Sequence, residues 1–285
     1  METLLVARLL IALIGTGAAT WYDIFNKKNV PDKLLYTFLA VAVIINIFDY
    51  SQLIARLPLV ALILIFLYIM YRAGQLGGAD IMVLAGIYYS LPAMTSPLLA
   101  ASPLVTEMLP LPSILSILAV STVLCALWIV LKLGPRLLDD TLKGKIKFKM
   151  LNVVVAVVML VVYGFLLMTM LQLSAFLTFS VMHIIFLTVI VILVFIFSLY
   201  KDAIMESMVV WKRRVEPEEV LSLELLPVSL VKKLHLNRLV TVQQMRKMNR
   251  INRKWPVLDL PAFLPCILIA LVIYVLFGDS MLFFS

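Results

Sequence analysis

The sequence predicts an all-α fold, a polytopic membrane helix bundle with about eight transmembrane helices, on three observations. Hydrophobic residues make up 64% of the 285 positions and charged residues 14%, with a mean hydropathy of +1.09. A soluble domain carries about 45–50% apolar and about 25% charged residues. The apolar residues are gathered into continuous runs near the length that crosses a bilayer as a helix, about 17–25 residues. The basic residues, in turn, fall in alternate loops between those runs. Composition excludes an ordinary cytosolic enzyme and a disordered chain. Ten glycines without a long-range repeat exclude a collagen-like chain. Cys125 and Cys266 each stand in an apolar run, and two lone thiols indicate neither a zinc ribbon nor a disulfide framework.

The eight runs are Thr3–Trp21, Leu34–Phe48, Leu53–Tyr71, Ala79–Ala100, Ser113–Leu133, Leu151–Leu173, Val181–Tyr200 and Leu260–Gly278. The second is short and calls for an untilted helix or a locally thinned bilayer. Their unbroken apolarity predicts helices, because barrel strands alternate in polarity. The loops Asp23–Lys33, Arg72–Gly78, Lys132–Met150 and Lys201–Asp259 hold 3, 1, 6 and 12 Lys or Arg, together 22 of the 24. Arg8 and Arg56 are the exceptions, each near the outer end of a run where it can snorkel. Basic loops stay inside, so both termini are expected outside and the basic loops in the cytoplasm. The net charge of +8 then reflects topology. No aromatic-interleaved basic motif points to nucleic acid. Gly17-Ala18-Ala19 resembles a signal-peptide cleavage site, but the preceding segment is not basic and the loop charges call for a retained first helix.

Three regions follow: a membrane bundle over 1–200 with the first seven spans, a basic cytoplasmic loop over 201–259, and the last span with a short outer tail over 260–285. In the loop, Glu218–Leu226 and Val228–Arg253 space Val and Leu as helices do, between breaks at Pro217, Pro227 and Pro256. Amphipathic helices on the anionic inner leaflet are expected there. The alternative is a docking surface for a substrate or partner. Lys143, Lys145, Lys147 and Lys149 read as a topology anchor, with Asp139 and Asp140 pairing to lysines. Four prolines from Pro97 to Pro112 predict a stiff, extended outer connector over Ala101–Pro112.

An ionisable residue at the edge of a span is a candidate for function, because its charge is costly there. Glu2, Asp49, Glu107 and Asp279 lie at the outer boundary, and most other acids are in solvated loops. Asp23 and Asp80 differ. Asp23 closes the first run and Asp80 opens the fourth, so the derived topology brings both to the cytoplasmic face on different helices. Asp80 follows Gly74, Gly77, Gly78 and Ala79, a stretch that permits a sharp turn and close approach of a peptide backbone. Asp23 follows Gly15, Gly17, Ala18 and Ala19, and Gly15 and Ala19 form a small-residue face for a neighbouring helix. Thr16, Ala19 and Thr20 share the side of Asp23. Two adjacent carboxyls share a proton; one can activate water while its protonated partner polarises an amide carbonyl. The plainer alternative is an interfacial Asp23 and an Asp80 favoured by the dipole of its helix. His183, the one histidine inside a run, reads as packed and hydrogen-bonded; His235 has no nearby Cys. No phosphate-binding glycine loop occurs.

Gly77-Gly78-Ala79-Asp80 at a helix start, with an earlier Asp closing the first helix, resembles the G-x-G-D membrane aspartyl proteases, and within them the archaeal preflagellin and type IV prepilin peptidases. That family has one catalytic Asp at the cytoplasmic end of an early helix, followed by basic residues and a Val/Ile-Pro-Asp/Asn turn, similar here to Asp23, Lys27, Lys28 and Val30-Pro31-Asp32. The second catalytic Asp belongs to the glycine motif, here Asp80. The stretch Leu260-Pro261-Ala262-Phe263-Leu264-Pro265 looks like the opening of the last helix in archaeal members. Ala79 stands at the second motif glycine, and Met82 where many members carry Lys. The resemblance implies an integral membrane aspartic endopeptidase that removes short basic leaders from preflagellin or prepilin-like precursors. Asp23 and Asp80 would be catalytic, Gly77, Gly78 and Ala79 would line the substrate's approach, and no metal or other cofactor would be needed. The rivals from other classes are a proton-coupled secondary transporter using the Asp pair and a non-catalytic membrane scaffold recruiting partners through 201–259. No inverted repeat supports the transporter, whose site would lie mid-bilayer.

Overall fold

The computed structural model describes residues 2–26, 30–46, 61, 63–72, 76–91, 113–146, 148–173 and 181–277. In chain order the elements are α1 (Glu2–Phe25), α2 (Asp32–Ile44), α3 (Ile63–Arg72), α4 (Gly78–Ser90), α5 (Ser113–Leu142), α6 (Met150–Leu173), α7 (Val181–Leu199), α8 (Lys201–Ser207), β1 (Val209–Lys212), β2 (Val220–Leu221), α9 (Val228–Leu234), α10 (Val242–Met248), β3 (Trp255–Leu258) and α11 (Leu264–Phe277). The chain is a mostly helical protein of membrane character. Among the described residues three helices are long and apolar enough to cross a bilayer, α1, α5 and α6, or four if α7 and α8, bent by 77° at Tyr200, count as one span. Apolar residues cover the outer faces, as on α6, where Leu151, Val161 and Phe165 are all exposed. Such a surface fits lipid and not water.

Several of the eight expected spans differ in length. The helix at the fourth run ends at Ser90, and residues 92–100 of that run lie outside the described residues. Leu91 is extended (ψ 141°) because the ring of the following Pro92 disfavours a helical residue before it. At 13 residues α4 is about 20 Å long, and α11, at 14, about 21 Å. The fifth run is extended instead: α5 carries on through Pro135 to Leu142. The first part of the third run, 53–60 with Arg56, the outer connector 101–112, Lys27, Lys28, Gly74, Asp49, Glu107, Asp279 and the side chain of His183 lie outside the described residues.

α1 is central and touches α2, α4 and α11, while α5 packs on α11 and α4. One residue sets the spacing of three helices. Phe38 of α2, 6% exposed, has one edge of its ring against Gly15 of α1 and the other against Gly86 of α4. A Cβ at Gly86 would stand 2.5 Å from the ring, so both glycines are spaces that Phe38 fills. Asn46, buried beyond the end of α2, donates to the carbonyls of Ala42 (2.7 Å) and Tyr89 (2.6 Å), tying α2 to α4 again. The α6–α7 pair is joined by a Tyr163–Thr188 hydroxyl hydrogen bond of 2.5 Å, polar glue of the kind apolar helices use in lipid. Arg8 does not snorkel at a surface. It is 3% exposed, on the inward face of α1 that also holds Ala12, Thr16, Ala19, Thr20 and Asp23.

The 201–259 segment is not a pair of amphipathic helices. It folds around a core of its own, formed by Val215, Leu221, Leu226, Leu236, Val240, Met248, Trp255 and Val257. Its antiparallel sheet has the order β1-β3-β2, with Val209 opposite Leu258 and Val220 opposite Leu258 on the other edge. Only α9 and α10 keep the expected helices, as two turns each. His235 closes α9 in the left-handed region (φ 49°), and Thr241 with Gln244 forms a reciprocal cap on α10. Asp139 and Asp140 pair with Lys143 (2.5 Å) and Lys145 (3.3 Å), and Lys149 reaches Asp202 (3.1 Å). These exposed pairs contribute about 0–1 kcal/mol each.

Candidate active site

Asp23 lies in the last turn of α1 and is 8% exposed. The inward face of α1 buries it: Ala12, Thr16, Ala19 and Thr20 repeat at helical spacing above it. Thr20, one turn away, donates to the carbonyl of Leu264 at 3.2 Å, which fixes the start of α11 beside the end of α1. Pro265, without an N–H, is tolerated in that first turn. The stretch Pro261-Ala262-Phe263-Leu264-Pro265 therefore adjoins the turn that carries Asp23.

Asp80 is the third residue of α4 and half-buried. Gly77 precedes the helix in an extended conformation (φ −79°, ψ 157°), and its N–H donates to Asp80 Oδ2 at 2.9 Å. This is the return half of a capping box; glycine has no side chain to supply the other half. A Cβ at Gly77 would stand 3.2 Å from that same oxygen, so a larger residue would crowd the carboxylate. α1 and α4 pack together, and the Asp23 and Asp80 carboxyls lie within electrostatic reach of each other. The plainer role of Asp80, a helix-start carboxylate, is therefore present.

Gly78 faces the 201–259 unit. A Cβ there would meet Glu218 Oε2 at 3.5 Å and the Tyr71 ring at 3.8 Å. Ala79, half-buried, packs against the bundle core and not into that opening. Beside Gly78 a cleft of about 460 Å³ opens between the end of α3 and the 201–259 unit, lined by Tyr71, Arg72, Glu218, Arg238 and Thr241 among others. Sequence reasoning missed Tyr71 and Glu218, whose side chains are hydrogen-bonded (3.2 Å) across 147 residues of chain. It also missed the meeting of Cys125 on α5 with Cys266 on α11, whose thiols interact near Asp80. The one local signal at Glu218 is conformational (φ 67°), and only the fold reveals it. Lys212 is held protonated beyond the usual lysine range by its hydrogen bond to Glu219. Among the described residues no group of three or more His, Cys, Asp and Glu is placed to hold a metal ion. Comparison with protein-family models, curated proteins and solved structures yields no match.

Proposed function

We propose that the chain is an integral membrane aspartic endopeptidase acting on precursors with a short basic leader ahead of an apolar helix, of the preflagellin or prepilin type. The observation that carries this reading is the approach of Asp23 and Asp80 from the ends of two packed helices, beside a glycine turn open to a cleft. Two carboxyls brought together at such a site would share one proton. The ionised group takes a proton from water as it attacks the scissile carbonyl. The protonated group polarises that carbonyl's oxygen, and the amine then leaves protonated, with no covalent intermediate. Gly77 holds Asp80 through its N–H, and Gly78 leaves room for an extended backbone.

The gathering of basic residues in alternate loops supports a cytoplasmic face for this end of the bundle. A substrate would keep its apolar helix in the bilayer and its leader in the cytoplasm, and be cut just before the apolar segment.

The test is cleavage of a panel of pilin-like and secretory precursors by membranes holding the protein. Wild type should shorten the pilin-like precursors alone, and a chelator should leave that unchanged. Asp23→Asn and Asp80→Asn should each abolish it at normal protein level. Their double variant should lose no more, because the pair acts as a unit, while Asp32→Asn and Asp139→Asn keep full activity. Full cleavage by Asp23→Asn would end the dyad assignment. Loss on chelation with recovery on zinc would end the aspartic mechanism.

A further inference from the structure

The cleft beside Gly78 is built by two walls that meet at one carboxylate. On one side are Tyr71 and Arg72 at the end of α3; on the other, segments 217–221 and 238–240 of the 201–259 unit, held together by backbone hydrogen bonds. Glu218 N–H donates to the Val240 carbonyl (2.9 Å), Val240 N–H to that of Glu219 (3.0 Å) and Leu221 N–H to that of Arg238 (2.7 Å). This pairing holds Glu218 at a positive φ of 67°, a region that residues other than glycine seldom adopt. Such a conformation persists only where the surroundings impose it, and it is concentrated at functional positions. It turns the Glu218 carboxylate toward α3, where Tyr71 donates to Oε1 at 3.2 Å and Oε2 faces Gly78. Of the cleft's charged groups, Glu218 is the one within 4 Å of where a Gly78 side chain would be; neither Arg72 nor Arg238 comes that close.

We infer that Glu218 is the specificity-determining residue of a peptide-binding cleft, reading a single cation near the end of the substrate's leader. The inference rests on the peptidase reading for its substrate class. The geometry separates one cation from many. An extended peptide laid past Gly78 would place an ammonium or guanidinium against Glu218 Oε2, in a charge-assisted hydrogen bond. Farther along the cleft the same peptide would meet Arg72 and Arg238, which repel cations and favour neutral or acidic residues. A volume of about 460 Å³ is within the range of small-ligand sites and suits a few residues of chain. Tyr71 serves as a positioning residue that keeps the carboxylate on the motif side.

The experiment measures binding without hydrolysis, by fluorescence anisotropy, with the full chain in lipid nanodiscs and Asp23→Asn as the background. Three fluorescein-labelled hexapeptide amides serve as probes: one with lysine as the penultimate residue, one with glutamine there, and one with the lysine moved to the second position. The penultimate-lysine peptide should bind about tenfold tighter than the other two, the scale of one charge-assisted bond in a partly wet site. Glu218→Gln should erase that difference, bringing the penultimate-lysine peptide to the affinity of the glutamine peptide. Glu218→Asp should restore part of it, and Tyr71→Phe should weaken it. Equal binding of all three peptides by the Glu218-bearing protein, or an undiminished preference in Glu218→Gln, would overturn the inference. Failure of every precursor to be cleaved by wild type would instead remove the peptidase reading, and the anisotropy result would still decide the cleft.

Discussion

Phe38 makes a quantitative test of the packing that brings the two aspartates together. Replacing Gly86 by Ala would put a methyl 2.5 Å from Cε1 and 2.8 Å from Cδ1 and Cζ of the ring. Carbon atoms rest about 3.5–4.0 Å apart, so the ring would have to retreat by roughly 1 Å. It has nowhere to go, because its opposite edge already lies against Gly15. Overpacking of this kind costs about 1–3 kcal/mol, and at about 2–4 °C per kcal/mol the melting temperature in detergent should fall by about 2–12 °C. Phe38→Ala alone should cost about 3–5 kcal/mol, as for other buried phenylalanines. In the double variant the clash has lost one partner, so Gly86→Ala should add almost nothing to Phe38→Ala, a coupling of about 1–3 kcal/mol. Gly164→Ala on α6 is the control: nothing stands within 4 Å of its added methyl, and it should be neutral or slightly stabilising. Thermal unfolding of the four purified variants measures all of this. An unchanged melting temperature for Gly86→Ala, or full additivity with Phe38→Ala, would refute the clamp. The α1–α4 spacing that joins Asp23 to Asp80 would then need another cause.

The chain's two cysteines give a probe of the α5–α11 contact that needs no mutation. Mild oxidation of wild-type membranes should join Cys125 to Cys266 within one chain, so that a maleimide titrates no thiol afterwards; two reactive thiols after oxidation would show the helices apart. For topology, Lys232→Cys in a background of Cys125→Ser and Cys266→Ser should resist an impermeant maleimide in intact cells and react in inside-out vesicles, whereas a cysteine at Ser285 should do the reverse. Labelling of Lys232→Cys from outside would invert the orientation and remove the cytoplasmic site.

Composition and run length were enough to identify a helical membrane protein, because the solvation of 20 apolar residues is a local property that no tertiary contact alters. The placement of Asp23 at the end of one helix and Asp80 at the start of another was likewise legible. Each follows from where apolar sequence meets charge or glycine. That α1 and α4 touch was not legible, since Gly15 announces a close neighbour without saying that it is the ring of Phe38, with Gly86 on its far side. The cysteines failed for the same reason: each looked isolated in its own run, and only α5 lying on α11 brings them together. In the 201–259 unit the misreading was one of period. The strand β2 has two residues and every residue of β3 is buried, so neither can display the alternation that marks a strand. Leu and Val among charges then imitated a helix. Glu218 depends on the fold entirely. Its chemistry comes from Gly78 and Tyr71, far away in sequence, and from a backbone conformation that pairing with Val240 imposes. Burial cost and periodicity are written residue by residue along the chain. Which residues become neighbours is decided by packing among all the helices at once.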